Sequence, residues 1–307
     1  MHSIVAIVGP TAVGKTELSL RLGALLSLEI VNADSRQVYR YMDIGTGKPT
    51  LDERKQVRHH VIDIVDPDDD FSLATYTAHA CEALHEIDAL SKLPLLVGGT
   101  GQYVWSVLEG WDVPRVPPDA DFRALMESQA RAHGAAALHG ELRRIDPVAA
   151  DRIQAHNLRR VIRALELHRA TGELPSHVLW RRRGVPVDAL IIGLSMDRDT
   201  LIARADSRID RMIREGFSRE VRWLLDMGYD ERLPAMSSIG YREMIEYVKG
   251  TISLEEAVAG IRRETRRLIR RQRAWFRETD PRIHWLDYAE PDKALRQAAS
   301  LVEGAAR

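Results

Sequence analysis

Over its first hundred residues the chain alternates two patterns. Short runs are mostly apolar: Ile4-Val5-Ala6-Ile7-Val8, Leu28-Glu29-Ile30-Val31 and Leu93-Pro94-Leu95-Leu96-Val97. Between them lie longer stretches, such as Glu17 to Leu22 and Leu73 to Leu90, in which apolar positions recur every three or four residues. The first pattern predicts buried strands and the second amphipathic helices. Apolar strands separated by helices imply a parallel sheet covered on both faces. Proline punctuation at Val113-Pro114-Arg115-Val116-Pro117-Pro118 then marks a boundary. From Asp119 to about Arg183 the pattern is helical without a good strand, and Asp188 to Leu194 resumes strand character. Helices follow from Thr200 to Gly216 and from a capping box at Ser253 and Glu256 to about Glu278. A short strand, Ile283 to Leu286, and a last helix close the chain. The reading is an α/β core of residues 1–117 and 187–307, interrupted by an all-helical insertion domain, 118–186.

Ligands of such sheets sit at the carboxyl ends of the strands. Three polar clusters occupy such ends. The first, Gly9-Pro10-Thr11-Ala12-Val13-Gly14-Lys15-Thr16, fits the phosphate-loop pattern G-x-x-x-x-G-K-[ST], between a strand and a helix. Its backbone N–H groups and the helix N-terminus can enclose an anion. Lys15 supplies a point charge, and Thr16 can ligate Mg²⁺. The motif gives a core of P-loop NTPase-like class and a di- or triphosphate ligand, without saying which. The other clusters are Asp34-Ser35-Arg36-Gln37 and Gly98-Gly99-Thr100. Sequence order alone predicts that all three converge.

Composition narrows the setting. The 307 residues are 45% hydrophobic with a net charge of −1, so any polyanion must meet a local patch. The lone Cys81 can make neither an internal disulfide nor a cysteine zinc finger. Met1-His2-Ser3 runs into the first strand without a basic leader, and no apolar run is long enough to span a bilayer. A cytoplasmic protein with no membrane contact is expected.

Arginine is nonetheless concentrated. The helix from Ser253 carries Arg262, Arg263, Arg266, Arg267, Arg270, Arg271, Arg273 and Arg277 against few acids, notably Glu264 and Glu278. Ile261, Leu268 and Trp275 are taken as its buried stripe. Arg159, Arg160 and Arg163 form a second group and Arg181-Arg182-Arg183 a third. Solvated helices usually mix signs, and arginine favours phosphate forks, so nucleic-acid contact is the favoured reading. Pairing with core acids, or with a diphosphate, remains open for some of them.

Two signals are set aside. His59-His60 with Asp63 hints at a metal, but neighbours on a strand face opposite ways. Asp66-Pro67-Asp68-Asp69-Asp70 reads as a solvated loop. One absence also counts. The strand before Gly98 ends without the acid that a phosphate-loop ATPase uses for its Mg²⁺ shell. The acid stands instead at Asp34, where it can take a proton from an acceptor near the phosphate loop. Group transfer from a phosphate-bearing donor fits this better than a nucleotide-driven motor.

These clusters, together with Asp43-Ile44-Gly45-Thr46-Gly47-Lys48-Pro49, His59 to Asp63, Gly98 to Tyr103, Asp146-Pro147, Arg159 to Glu166, Ile239 to Glu243 and Arg271 to Trp275, follow in an order that resembles the bacterial tRNA dimethylallyltransferases over essentially the whole length. The resemblance implies transfer of a five-carbon group from dimethylallyl diphosphate to N6 of the adenine 3′ of the anticodon, at tRNA position 37, with Mg²⁺. It implies that Lys15, Thr16 and Arg211 stabilise the leaving diphosphate, that Asp34 is the base and that Thr100 helps hold a substrate. It also places Asp34, Ser35, Arg36, Gln37, Thr100, Arg123, Arg159, Arg160, Val161, Ile162 and Arg163 along the path of the anticodon stem-loop. The base should flip into a water-excluding pocket. The chain is expected to act as a monomer. Three rivals are a small-molecule kinase, a prenyltransferase acting on free adenylate and a non-catalytic RNA-binding module.

Overall fold

The computed structural model describes residues 4–179, 181 and 187–305. Two compact units emerge: residues 1–108 with 187–307, and residues 109–186.

The larger unit begins with β1 (Ile4–Val8), α1 (Lys15–Gly23), β2 (Leu28–Asn32), α2 (Leu51–Gln56), β3 (His59–His60), α3 (Leu73–Ala89), β4 (Leu93–Gly98) and α4 (Gly101–Leu108). The smaller unit holds α5 (Ala120–His133), α6 (Ala135–Ile145), α7 (Pro147–Arg152), α8 (Leu158–Thr171) and α9 (Pro175–Leu179). The chain then returns to the first unit as β5 (Ala189–Ser195), α10 (Arg198–Glu215), α11 (Phe217–Asp226), α12 (Tyr241–Val248), α13 (Leu254–Trp275), β6 (Ile283–Asp287) and α14 (Pro291–Ala305).

The six strands form one sheet in the order β3-β2-β4-β1-β5-β6, and every pairing is parallel. Alternate strand residues face α1 and α14. Val5 and Ile7, Ile30, Leu95 and Val97, and Ile192 and Leu194 pack there with Leu18, Leu22, Ala298 and Val302. Val8 stands opposite both Gly98 and Gly193, and Asn32 opposite Val97. The loops after β1, β2 and β4 therefore leave the sheet at one level. The strand order turns back beside β1, which opens the crevice at that level.

The helix ends follow local chemistry. Ser253 accepts the Glu256 N–H and the Glu256 carboxylate accepts the Ser253 N–H, which starts α13. Gly216, at φ +101°, ends α10 in the left-handed conformation. The buried stripe of α13 differs from the expected one. Ile261 is buried, but Ile269 and Gln272 replace Leu268 and Trp275, which are only half-buried. The stripe follows the 3.6-residue period of a straight helix, not a strict heptad.

In the smaller unit Met126, Leu138, Leu142, Ile153, Val161 and Leu165 make a separate core. Its compact region starts at Glu109, nine residues before the expected boundary. The Asp112 N–H donates to the Arg181 carbonyl, so the proline-rich stretch belongs with these helices. Among the described residues no helix is long and apolar enough to cross a membrane.

Candidate active site

The phosphate loop closes over the start of α1. Gly14 has φ +114°, and a Cβ there would lie 2.2 Å from the Tyr288 ring, so both backbone and packing demand glycine. Lys15 Nζ donates to the carbonyls of Gly9, at 3.0 Å, and Pro10, at 2.8 Å. Burial lowers the Lys15 pKa to about 8; the Asp34 charge opposes this and the Arg208 charge adds to it. The Thr16 hydroxyl has no partner among the described residues.

After β2 the chain turns sharply at Asp34. Asn32 braces the turn: its Oδ1 accepts the Asp34 N–H at 3.1 Å, and its Nδ2 donates to the carbonyl of Val61 at 2.9 Å. Asp34 Oδ1 accepts the Arg36 N–H at 2.9 Å, leaving Oδ2 without a partner among the described residues. The Thr100 hydroxyl accepts the Ser35 N–H at 3.1 Å, and the Thr100 N–H donates to the Ala33 carbonyl at 3.2 Å. The second and third strand-end clusters are thus bonded to each other, and Lys15, Thr16, Asp34, Gln37 and Gly98, from all three ends, line one cavity of about 830 Å³.

A second cation at the loop is one that the sequence did not single out. Arg208 lies against it, with Nη1 3.4 Å from Thr11 Oγ1 and Nη2 3.1 Å from the Thr46 carbonyl. Burial lowers its pKa, and Asp34 opposes that shift. Arg211 lines the same cavity farther along α10. Arg204, Arg208 and Arg211 stand at i, i+4 and i+7, one helix face, which is the signal that could have found Arg208.

A polar loop, residues 43–48, adjoins Arg208 in the cavity wall. Glu220 accepts three successive N–H groups, those of Asp43 at 2.9 Å, Ile44 at 2.7 Å and Gly45 at 3.1 Å, and the Tyr241 hydroxyl at 2.6 Å. Buried Lys48 binds the Tyr39 carbonyl at 2.8 Å and both Asp43 and Asp63 at 2.5 Å. Arg54 also pairs with Asp63. Burial alone would raise the Asp63 pKa, but the bonds from Lys48 and Arg54 bring it below its usual value. His60 Nε2 lies 2.6 Å from Glu29 Oε2 in a buried pair, whereas His59 lines the cavity. Gln37 spends its amide on the Gly47 carbonyl at 3.2 Å.

The arginine groups divide. On α13, Arg262 pairs with Asp210 at 2.6 Å and Arg266 with Asp206 at 2.7 Å, acids of α10 that the local sequence did not reveal. Arg270, Arg271 and Arg277 have no partner among the described residues. In the smaller unit Val161 and Ile162 are core residues, so their side chains are closed to any RNA, contrary to expectation. Arg123 forks onto buried Glu166 through two bonds of 2.8 Å, and Arg163 pairs with the same carboxylate. Burial would raise the Glu166 pKa, yet these two arginines pull it down to about 2. Arg159 and Arg160 are exposed and without a partner among the described residues. Arg181 pairs with Glu173, while Arg182 and Arg183 lie outside the described residues.

Comparison with known proteins agrees with this geometry. A family model described as IPP transferase matches residues 37–279, and one described as isopentenyl transferase matches residues 2–66. A tRNA dimethylallyltransferase of Roseiflexus castenholzii is 51% identical over 302 residues, covering 98% of each chain. One from Thermomicrobium roseum is 46% identical over 288 residues, covering 94% of this chain and 87% of that one. The full-length tRNA isopentenylpyrophosphate transferase of Bacillus halodurans superposes with a TM-score of 0.74 at 40% identity, covering 99% of this chain and 97% of its own. A eukaryotic dimethylallyltransferase acting on tRNA gives a TM-score of 0.83 at 26% identity, over 97% of this chain and 78% of its own. The chain belongs to the IPP transferase family, that of the tRNA dimethylallyltransferases.

Proposed function

We propose that this enzyme transfers the dimethylallyl group of dimethylallyl diphosphate to the exocyclic N6 of the adenine 3′ of the anticodon in tRNA. The observation that carries the reading is the convergence of the phosphate loop and the Asp34 turn on one cavity, where the Asp34 charge acts on both Lys15 and Arg208. The bond between the allylic carbon and the diphosphate oxygen breaks, and a bond between that carbon and N6 forms. Asp34 Oδ2 takes the N6 proton, and diphosphate leaves. Lys15, Arg208 and the loop N–H groups stabilise the charge that builds on the leaving group. Arg211 gives longer-range support from the same wall. The Thr100 hydroxyl, already accepting from Ser35, has its own hydrogen to donate to adenine.

The donor set fits Mg²⁺. Thr16 offers an unpartnered hydroxyl at the loop, and no cluster of three or more acidic, histidine or cysteine ligands occurs among the described residues. Mg²⁺ characteristically completes its shell with phosphate oxygens and water. When bound beside Thr16, it would offset charge on the diphosphate.

Exposed Arg159 and Arg160 support a polymeric acceptor. We further propose that the protein works in the cytoplasm as a monomer. Incubation with labelled dimethylallyl diphosphate, Mg²⁺ and either tRNA or free AMP tests the reading by nucleoside analysis. Label on N6 of tRNA adenine is expected; label on AMP alone would overturn it.

A further inference from the structure

We propose that Gln272 is a positioning residue of the transfer reaction, tying the loop that holds the donor to the loop that carries Thr100. The inference rests on the function proposed above, in which these two loops serve the two substrates.

Gln272 lies near the end of α13 and is 7% exposed, between exposed Arg271 and Arg273. Its Oε1 accepts the Thr11 N–H of the phosphate loop at 2.8 Å. Its Nε2 donates to the Gly99 carbonyl at 3.1 Å. A neutral side-chain amide presents an acceptor and a donor side by side, which a carboxylate, ammonium or hydrocarbon does not. The approach also needs Gly99, where a Cβ would lie 2.3 Å from Gln272 Nε2.

From Gly99 the link continues. Thr100 bonds the Ala33 carbonyl through its N–H and the Ser35 N–H through its hydroxyl. A bonded path therefore runs from Thr11 through Gln272, Gly99 and Thr100 to the turn that presents Asp34. Thr11 also meets Arg208. Gln272 thus acts through Thr11 and Thr100, fixing the leaving group against the group that removes the proton. Releasing the two loops from one another loosens the attack geometry, and a misplacement of about 1 Å can cost about 10²-fold in rate.

A glutamine that merely filled buried backbone valences would show its loss in stability, so the test separates rate from folding. Gln272→Met keeps the volume and loses both bonds. Gln272→Glu keeps an acceptor for Thr11 but, as a carboxylate, loses the donor to Gly99. For Gln272→Met, kcat is expected to fall about 10–100-fold, with KM for donor and for tRNA within about threefold, in protein that remains fully folded at the assay temperature. For Gln272→Glu, kcat relative to wild type should rise as pH falls from about 7.5 to about 5.5, because burial favours the neutral acid, which can donate to Gly99. Wild-type kcat in Gln272→Met, a loss that tracks the melting temperature, or a Gln272→Glu ratio flat with pH would overturn the inference. The wild type's own turnover separates the two ideas. An inactive wild type overturns the functional reading, whereas an active wild type with an unimpaired Gln272→Met overturns this one.

Discussion

Donor binding should depend on pH through Lys15. Burial brings this lysine from 10.5 to about 8, and its ammonium donates to the carbonyls of Gly9 and Pro10 and to no other group among the described residues. A diphosphate on the loop supplies opposite charge at close range, which raises a lysine's pKa. Binding and protonation are therefore linked. Below about pH 8 the ammonium is present before the ligand arrives, and affinity is insensitive to its titration. Above that point a proton must be taken up on binding, and Kd rises about tenfold per pH unit until the pKa of the complex is reached. If the complex restores Lys15 to about 10, the total loss between about pH 8 and pH 10 is about 100-fold. Calorimetric titration with an unreactive dimethylallyl diphosphate analogue, in two buffers of different ionisation enthalpy, reads both Kd and proton uptake. Lys15→Arg stays charged throughout and should give a flat profile. A wild-type Kd that stays level through about pH 9.5, or one that rises equally in Lys15→Arg, would refute this linkage.

Asp34→Asn should lower turnover about 10²–10⁴-fold while tRNA binding survives; near wild-type turnover, with chemistry rate-limiting, would remove Asp34 as the base. Changing Arg159 and Arg160 together to alanine should leave the melting temperature intact and flatten the salt dependence of tRNA binding by about 0.7–0.9 in log–log slope for each phosphate that is no longer neutralised; an unchanged slope in the folded variant would take them off the RNA path. Arg123→Ala should instead destabilise the smaller unit, by about 1–3 kcal/mol, because Glu166 loses a forked partner while Arg163 and the Asp119 N–H remain on it. The sign of the pH effect follows from the same carboxylate: its depressed pKa contributes stability above about pH 4.5 that is lost as pH falls toward about 2, so urea unfolding across that window should converge for wild type and variant. Glu220→Gln, which keeps the shape and removes the charge, should cost about 1–3 kcal/mol in unfolding free energy and weaken donor binding through the Arg208 wall; unaltered donor affinity would detach that wall from the site.

The core and its convergent loops were legible because they rest on local rules. Short apolar runs made β1, β2 and β4, and glycine spacing marked the phosphate loop. The parallel register then placed Asp34 near Lys15 and bonded Thr100 to the Asp34 turn. What sequence could not reach were interactions made across the fold. Asp206 and Asp210 neutralise Arg262 and Arg266 from another helix, so charge counted along α13 alone overstated its free cations. Val161 and Ile162 stood among arginines and read as part of a basic surface, but helical periodicity turns them into the core of the smaller unit. Arg208 was hidden by the reverse error, attention to one arginine of α10 where three share a face. Two-residue β3 and short α2 lacked any periodic signal long enough to read.

The three N–H groups gathered on Glu220 have a consequence for timing. A turn that aims successive amides at one point is an anion receptor, and an empty one tends to stay mobile until its ligand arrives. Here a resident carboxylate already fills the turn, and Tyr241 holds that carboxylate in place. The Thr46 carbonyl beside Arg208 is then set before any donor enters. The ordering entropy of this wall is met once in the lifetime of the molecule instead of once in every catalytic cycle, so the binding energy of each new donor remains available for the reaction itself.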